Sequence, residues 1–187
     1  MKKDIKKYIK NSTEAIRGLR KIDDEIERAV KKIIRSYKKG GKVIIFGNGG
    51  SAADSQHIAT ELVVRFRKNR KPFPAVALTT NTSELTAISN DYNFGAVFER
   101  QLEGIGRKED VVIAISTSGN SENVVRGAKK AKAIGLPVIV LKGKPSGKVD
   151  KFGDILISAS TKITSHVQEC HITVGHIICL LVEEQLT

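Results

Sequence analysis

Five short apolar runs alternate with helical patterns after residue 41, and this alternation limits the possible folds more than any other feature. The runs span residues 42–46, 75–78, 111–115, 137–141 and 154–157. They are rich in β-branched residues and do not alternate apolar with polar positions, which is typical of strands buried on both faces of a parallel sheet. The pattern predicts an α/β protein with three αβα layers, in which a doubly wound, mainly parallel five-stranded sheet has helices on both faces.

Apolar periodicity also predicts the helices. Between and after the strands they span residues 51–66, 83–88, 95–105, 121–134 and 165–186, and Gly135 caps the fourth of them. Before the first strand, apolar residues at three- and four-residue steps predict a helical arm over 3–38, which Gly18 or the pair Asp23-Asp24 can divide in two. We therefore expect a single domain, 1–187, with an arm over 1–40 and a core over 41–187.

The arm carries one apolar stripe, and a stripe on a long arm needs a surface to cover it. We expect that surface to be another copy of the chain, so that the arm forms a subunit interface in a homo-oligomer.

Charge and composition narrow the possible partners. The formal net charge is +12, but residues 1–40 alone hold 14 basic and 6 acidic residues, so most of the excess is a solvated, lysine-rich helical surface. Aromatic residues are few and no nucleic-acid motif is present, which disfavours a nucleic-acid partner.

The longest apolar run near the C-terminus, 177–182, is too short to span a membrane, and the charged start lacks the apolar core of a secretory signal. We expect a cytoplasmic protein with no membrane partner, in which Cys170 and Cys179 are buried free thiols.

A glycine-rich loop follows the first predicted strand. This glycine loop, Gly47-Asn48-Gly49-Gly50-Ser51, leads into the predicted helix 51–66. Glycine lets the backbone approach a ligand closely, and the free N–H groups and dipole of a helix start favour an anion. The loop therefore predicts a phosphate site, with Ser51 as the N-cap of the helix and Asp54 at the capping-box position.

A loop of hydroxyl-bearing residues follows the third predicted strand. This serine loop, Ser116-Thr117-Ser118-Gly119-Asn120-Ser121, carries four serine and threonine side chains in its first three and last positions. Hydroxyls and helix N–H groups can hold a phosphate monoester without a lysine; the alternative is a loop whose serines only cap the helix. Neither loop matches a nucleoside-triphosphate P-loop or the glycine spacing of a dinucleotide site. Both loops lie at carboxyl ends of strands, where α/β sheets bind ligands.

The chain has four histidines, one after the glycine loop and three at or in the last helix. His57 and Glu61 are four residues apart, a spacing that can place an imidazole nitrogen and a carboxylate oxygen on one metal ion; the alternative is an ordinary surface pair. On the last helix, Gln168 and His176 are about two turns apart and can share a broad face. The two helices together offer a four-ligand site.

Taken together, these motifs resemble those of bacterial phosphoheptose isomerases, a branch of the sugar-isomerase (SIS) domain superfamily. The resemblance spans nearly the whole chain, including the arm. It is carried by the glycine loop, His57, Glu61, Asn90-Asp91-Tyr92, the serine loop, Gln168-Glu169 and His176. It implies an aldose–ketose isomerase that converts sedoheptulose 7-phosphate to D-glycero-D-manno-heptose 7-phosphate, an early step towards heptose-containing glycans such as lipopolysaccharide. It also implies a homotetramer with active sites between subunits and one bound zinc ion per subunit.

The resemblance further implies a role for each matched residue. The metal ligands would be His57, Glu61, Gln168 and His176, and Gln168 would also contact substrate. The phosphate would be held by Ser51, Ser116, Thr117, Ser118 and Ser121. The sugar site would be lined by Asn48, Gly49, Gly50, Asn90 and Asp91, together with Glu61. Glu61 would be the catalytic base and His176 its acid/base partner, since an enediol mechanism needs both.

A second reading is a non-catalytic SIS protein that binds a phosphosugar as a regulator or associates with a replication initiator. Such a protein needs the serine loop but has less need of His57, Glu61, Gln168 and His176. All four positions are filled in this chain, which favours the enzyme.

Overall fold

The computed structural model describes residues 1–187, and its elements follow the predicted α/β alternation. The helices are α1 Lys2–Arg17, α2 Asp23–Lys38, α3 Gly50–Val63, α4 Thr82–Asp91, α5 Val97–Ile105, α6 Glu122–Ala133 and α7 Thr164–Leu186. The strands are β1 Val43–Gly47, β2 Ala75–Ala77, β3 Val111–Ser116, β4 Val138–Lys142 and β5 Ile155–Ser158. Short 3-10 turns lie at Gly18–Lys21, Phe94–Ala96 and Lys148–Phe152.

The five strands form one fully parallel sheet in the order β2-β1-β3-β4-β5. Successive side chains of a strand point to opposite faces, so each strand feeds two cores. Ile45 and Ile113 pack with residues of α2, α3 and α7, whereas Phe46 and Ala114 pack with residues of α5 and α6. Helices therefore cover both faces, and the predicted doubly wound αβα fold is confirmed.

The chain reverses its direction of travel across the sheet between β1 and β3. From β1 it passes through α3 to the outer strand β2, and from β3 it passes through α6 to β4 on the other side. A crevice opens at such a switch point beyond the carboxyl ends of the two strands. The glycine loop and the serine loop are the segments that leave β1 and β3 there.

The arm consists of two helices, divided at Gly18 by the first 3-10 turn. It packs on α7, where Tyr8 and Ser12 donate hydrogen bonds of 2.9 and 2.6 Å to the Glu169 carboxylate. The apolar stripe of α1 is nevertheless only partly covered by its own chain, since Ile5 and Ile9 are 54% and 58% exposed.

Helices α3 and α7 lie side by side and carry the histidines. Gly175 allows this approach, because a Cβ atom at this position would lie 2.6 Å from the Ile58 Cδ1 atom. Cys170 and Cys179, on the same helix, are buried free thiols as predicted, and burial raises the pKa of Cys179 to about 12. None of the helices has both the length and the apolar character needed to cross a bilayer.

Candidate active site

The two loops begin side by side and are tied together. Gly47 pairs with Ile115 at the ends of β1 and β3. Beyond them, the side chains of Asn48 and Asn123 form a reciprocal amide pair, in which each donates to the other's oxygen at 2.8 Å. Because Asn123 lies in the first turn of α6, this pair links the glycine loop to the helix that follows the serine loop.

The glycine loop enters α3 earlier than predicted. Gly49 has φ 54° and occupies the N-cap position, so the helix begins at Gly50 and has no side-chain cap. The prediction that Ser51 is the N-cap is therefore wrong, because a glycine in the left-handed region turns the chain into the helix first. Asp54 makes no capping box either. One of its carboxylate oxygens is buried without a partner, and burial raises its pKa to about 6, an effect that the neighbouring His57 partly offsets.

In the serine loop, the hydroxyls are not used to cap the helix. Ser121 is the N-cap residue of α6 but makes no side-chain cap hydrogen bond. Its Oγ atom lies 3.3 Å from Ser116 Oγ, so two hydroxyls face each other across the loop. The first-turn N–H groups of a helix have no partner within the helix. Hydroxyls and N–H donors thus converge at the carboxyl end of β3, whereas the Glu122 side chain is 77% exposed and lies 3.8 Å from Arg126.

A second segment, residues 143–149, contacts the serine loop and supports its backbone. Gly143 N–H donates to Thr117 O at 3.1 Å, and Val149 N–H donates to Gly119 O at 3.0 Å. Between these two contacts, the backbone of Gly147 lies directly against Gly119. The conformation of the loop therefore depends on residues 143–149.

We expect Gly147→Ala to disturb the serine loop. A Cβ atom there would lie 2.6 Å from both Cα and O of Gly119, and a backbone contact this short can be relieved only by moving one of the loops. Unfolding in urea should show a loss of about 1–3 kcal/mol, and kcat/KM for a sugar phosphate should fall about 10- to 100-fold. Gly104→Ala is the matched control, because a Cβ atom at Gly104 meets nothing within 4 Å. Equal behaviour of the two variants would contradict this account of the loop.

Three of the predicted metal ligands lie together where α3 and α7 meet. His57 Nε2 is 3.4 Å from His176 Nε2 and 3.3 Å from Glu61 Oε1. Ligands at about 2.0–2.1 Å from a tetrahedral zinc ion lie about 3.3–3.4 Å from one another, so these separations fit a shared ion. In the structure, however, no group of three His, Cys, Asp or Glu side chains surrounds one point with the geometry of a metal site.

The fourth predicted ligand lies elsewhere within the chain. The Gln168 amide packs against Gly50 at the start of α3. Gly50 is seven residues before His57, about 10 Å along the helix axis. A single α3–α7 pair therefore does not bring all four residues to one point, because Gln168 and His176 are separated by two turns of a continuous helix.

Asn90 and Asp91 form no side-chain hydrogen bond with either loop. They are exposed at the C-terminal end of α4. Their side chains form one hydrogen bond, in which Asn90 Nδ2 donates to Asp91 Oδ1 at 2.9 Å. Ser51, by contrast, is buried against Gly47 at the start of α3. Of the predicted substrate residues, those of the two loops lie at the carboxyl ends of β1 and β3 and Gln168 lies against Gly50, whereas no hydrogen bond links Asn90 or Asp91 to either loop.

Known proteins are similar to this chain over nearly its whole length. A family model described as the SIS domain matches residues 7–143. A phosphoheptose isomerase of Clostridium acetobutylicum is 49% identical over 189 aligned positions, covering 100% of this chain and 96% of the relative. One from Aquifex aeolicus is 54% identical over 154 residues, covering 82% and 81%. The structure of the phosphoheptose isomerase GmhA from Neisseria gonorrhoeae superposes with a TM-score of 0.92 at 36% identity, covering 98% of both chains. The chain therefore belongs to the SIS-domain proteins and, within them, to the phosphoheptose isomerase family.

Proposed function

We propose that the protein isomerises sedoheptulose 7-phosphate to D-glycero-D-manno-heptose 7-phosphate in heptose metabolism. The observation that carries this proposal is the contact of His57 with both Glu61 and His176, in a chain that also has the serine loop at the adjacent strand ends. A phosphosugar-binding regulator would need the loop alone. An isomerase that acts on a sugar phosphate needs a phosphate-binding site and a pair of proton-transfer groups, and this chain has residues suited to both.

The reaction moves one proton from carbon 1 to carbon 2 and one from the oxygen on carbon 1 to the oxygen on carbon 2, and it leaves the carbon chain intact. Glu61 removes a proton from carbon 1 of the open-chain ketose, and the carbonyl oxygen at carbon 2 gains a proton, which gives an enediol. A proton then returns to carbon 2 while the hydroxyl at carbon 1 loses its own, which leaves the aldose. His176 is the acid/base partner that serves the two oxygens, since this exchange needs a group that both donates and accepts a proton.

The donor set suits a divalent metal, and we propose zinc. His57, Glu61 and His176 would hold it, and the distances from His57 Nε2 to the other two side chains support this assignment. When bound, the ion would supply Lewis-acid polarisation of the sugar oxygens. Gln168 joins this set only if it comes from another subunit or if α7 moves. The phosphate would be held by Ser51, Ser116, Thr117, Ser118 and Ser121, and binding there is remote from the reacting carbons.

We further propose a cytoplasmic homotetramer whose active sites lie between subunits. Support comes from the exposed apolar residues of α1 and from a groove of about 710 Å³ between the arm and α7, whose lining includes Leu19, Ile26, Ile177 and Leu181. A site between subunits would also bring Asn90 and Asp91 to the loops of a neighbouring chain, whereas within their own chain they form a hydrogen bond only with each other.

Incubation of the purified protein with sedoheptulose 7-phosphate, followed by nuclear magnetic resonance, tests the proposal. We expect the aldose 7-phosphate to form and, in deuterated water, to carry deuterium at carbon 2. Absence of any conversion with zinc supplied would refute the assigned function. Deuterium at carbon 2 of the aldose or at carbon 1 of the recovered ketose would support the assigned proton-transfer route.

A further inference from the structure

A buried ion pair joins the segment after α3 to the last turns of α7. Arg70 Nε lies 2.9 Å from Glu183 Oε1, and the two side chains are only 3% and 1% exposed. A pair so fully removed from water is retained at a considerable cost in solvation, which only further hydrogen bonds can offset. Both partners make several such bonds. One bond of Arg70 is to the backbone of Glu61, and one bond of Glu183 is to the backbone of Phe66, whose ring lies near His176.

Arg70 closes the C-terminal end of α3. Its guanidinium donates to Glu61 O at 3.0 Å and to Leu62 O at 2.9 Å, and it stacks over the Phe73 ring at 4.0 Å. The last carbonyls of a helix lack intrahelical partners and carry partial negative charge, so a guanidinium is well suited to them. One of the two carbonyls belongs to Glu61 itself, and Arg70 therefore fixes the backbone that carries the proposed base.

Glu183 performs the corresponding task for the segment after α3. Its carboxylate accepts the backbone N–H groups of Phe66, Arg67 and Lys68 at 3.0, 2.8 and 2.9 Å. Burial alone would raise the pKa of Glu183, but these donors and Arg70 lower it to about 2, so the group is ionised. The Phe66 ring held in this way lies 5.7 Å from the His176 ring, between centroids.

We propose that Arg70 and Glu183 are positioning residues that hold Glu61 and His176 at their working separation. Glu183 lies seven residues after His176, which is two turns along the same helix, and Arg70 reaches the Glu61 carbonyl from the other side. The pair thus ties the C-terminal turn of α3, which carries Glu61, to α7 two turns beyond His176. This inference rests on the proposed function, since it assigns a role within that site.

Glu183→Gln and Arg70→Lys test the inference against a matched control, Asp110→Asn. Asp110 is also a buried carboxylate that accepts backbone N–H groups and a basic side chain, Lys42 at 2.6 Å, but at the amino ends of β1 and β3. We expect all three variants to lose stability in urea. Only Glu183→Gln and Arg70→Lys should also lose about 10- to 100-fold in kcat and in zinc affinity, with KM changed by less than about threefold. Zinc affinity is measured on the metal alone, by competition with a chromophoric chelator.

Each outcome bears on the inference separately from the proposed function. An inactive wild-type protein would refute the function, whereas an active wild type whose Glu183→Gln variant behaves like Asp110→Asn would overturn the positioning role. If Glu183→Gln and Arg70→Lys are both unfolded at 25 °C by circular dichroism, the pair serves only stability and the positioning role is likewise overturned.

Discussion

Glu61→Gln should reduce kcat by about 10²- to 10⁴-fold, the range that a positioned proton-transfer group contributes. Glutamine keeps the shape of the side chain, so the helix and its contact with His57, 3.3 Å away, can be retained. What is lost is the ability to accept a proton from carbon 1. Substrate conversion by the variant and by the wild type, measured at saturating sedoheptulose 7-phosphate, gives the ratio directly.

The control for this variant is Glu122→Gln, which removes a carboxylate near the serine loop that is 77% exposed and lies 3.8 Å from Arg126. We expect its kcat to stay within about threefold of the wild type, because surface substitutions of this kind cost little. Circular dichroism should be unchanged in both variants. Turnover by Glu61→Gln at the rate of the control would remove Glu61 from the mechanism.

Stripping divalent metal with a chelator should lower turnover by about 100-fold or more, since Lewis-acid stabilisation is worth several kcal/mol. Zinc added in excess of the chelator should restore it. The same treatment of His57→Ala should show weak restoration, because this variant removes the side chain that contacts both Glu61 and His176.

Two controls separate metal loss from other effects of the chelator. A chelator saturated with zinc beforehand should leave the rate unchanged, and the melting profile should show that the metal-free protein is folded. Full activity in a preparation shown by elemental analysis to hold no metal would contradict the proposed zinc site.

Sequence reasoning succeeded where the physical cause is local. Each strand was placed to within about one residue at its ends; for example, the predicted run 111–115 is observed as Val111–Ser116. Short β-branched segments buried on two faces leave little choice of structure. A division of the arm at Gly18 or at Asp23-Asp24 was also predicted, and the observed break begins at Gly18 and ends where α2 starts at Asp23.

The prediction was wrong where distant residues decide a boundary. Periodicity extended the third helix to residue 66, but it ends at Val63. The N–H groups of residues 66–68, which could have continued a helix, donate instead to Glu183, more than 100 positions further along the chain. No local pattern could reveal this contact or the role of Arg70.

The candidate site was predicted in part for the same reason. The i, i+4 spacing of His57 and Glu61 follows from helix geometry, and the pair is found in contact. Its meeting with His176, at 3.4 Å, was expected from the family resemblance and from the scarcity of histidine. The placement of Gln168 against Gly50 depends on how α7 is set along α3, and helix spacing within one sequence carries no information on that register.

Anomalous diffraction at the zinc edge, from crystals of the assembled protein grown with zinc, tests the central claim most directly. We predict one peak per subunit, about 2.0–2.2 Å from the Nε2 atoms of His57 and His176 and from a Glu61 carboxylate oxygen. Strong zinc peaks elsewhere with none between these side chains, or imidazoles of His57 and His176 that lie far apart in every subunit, would contradict the account.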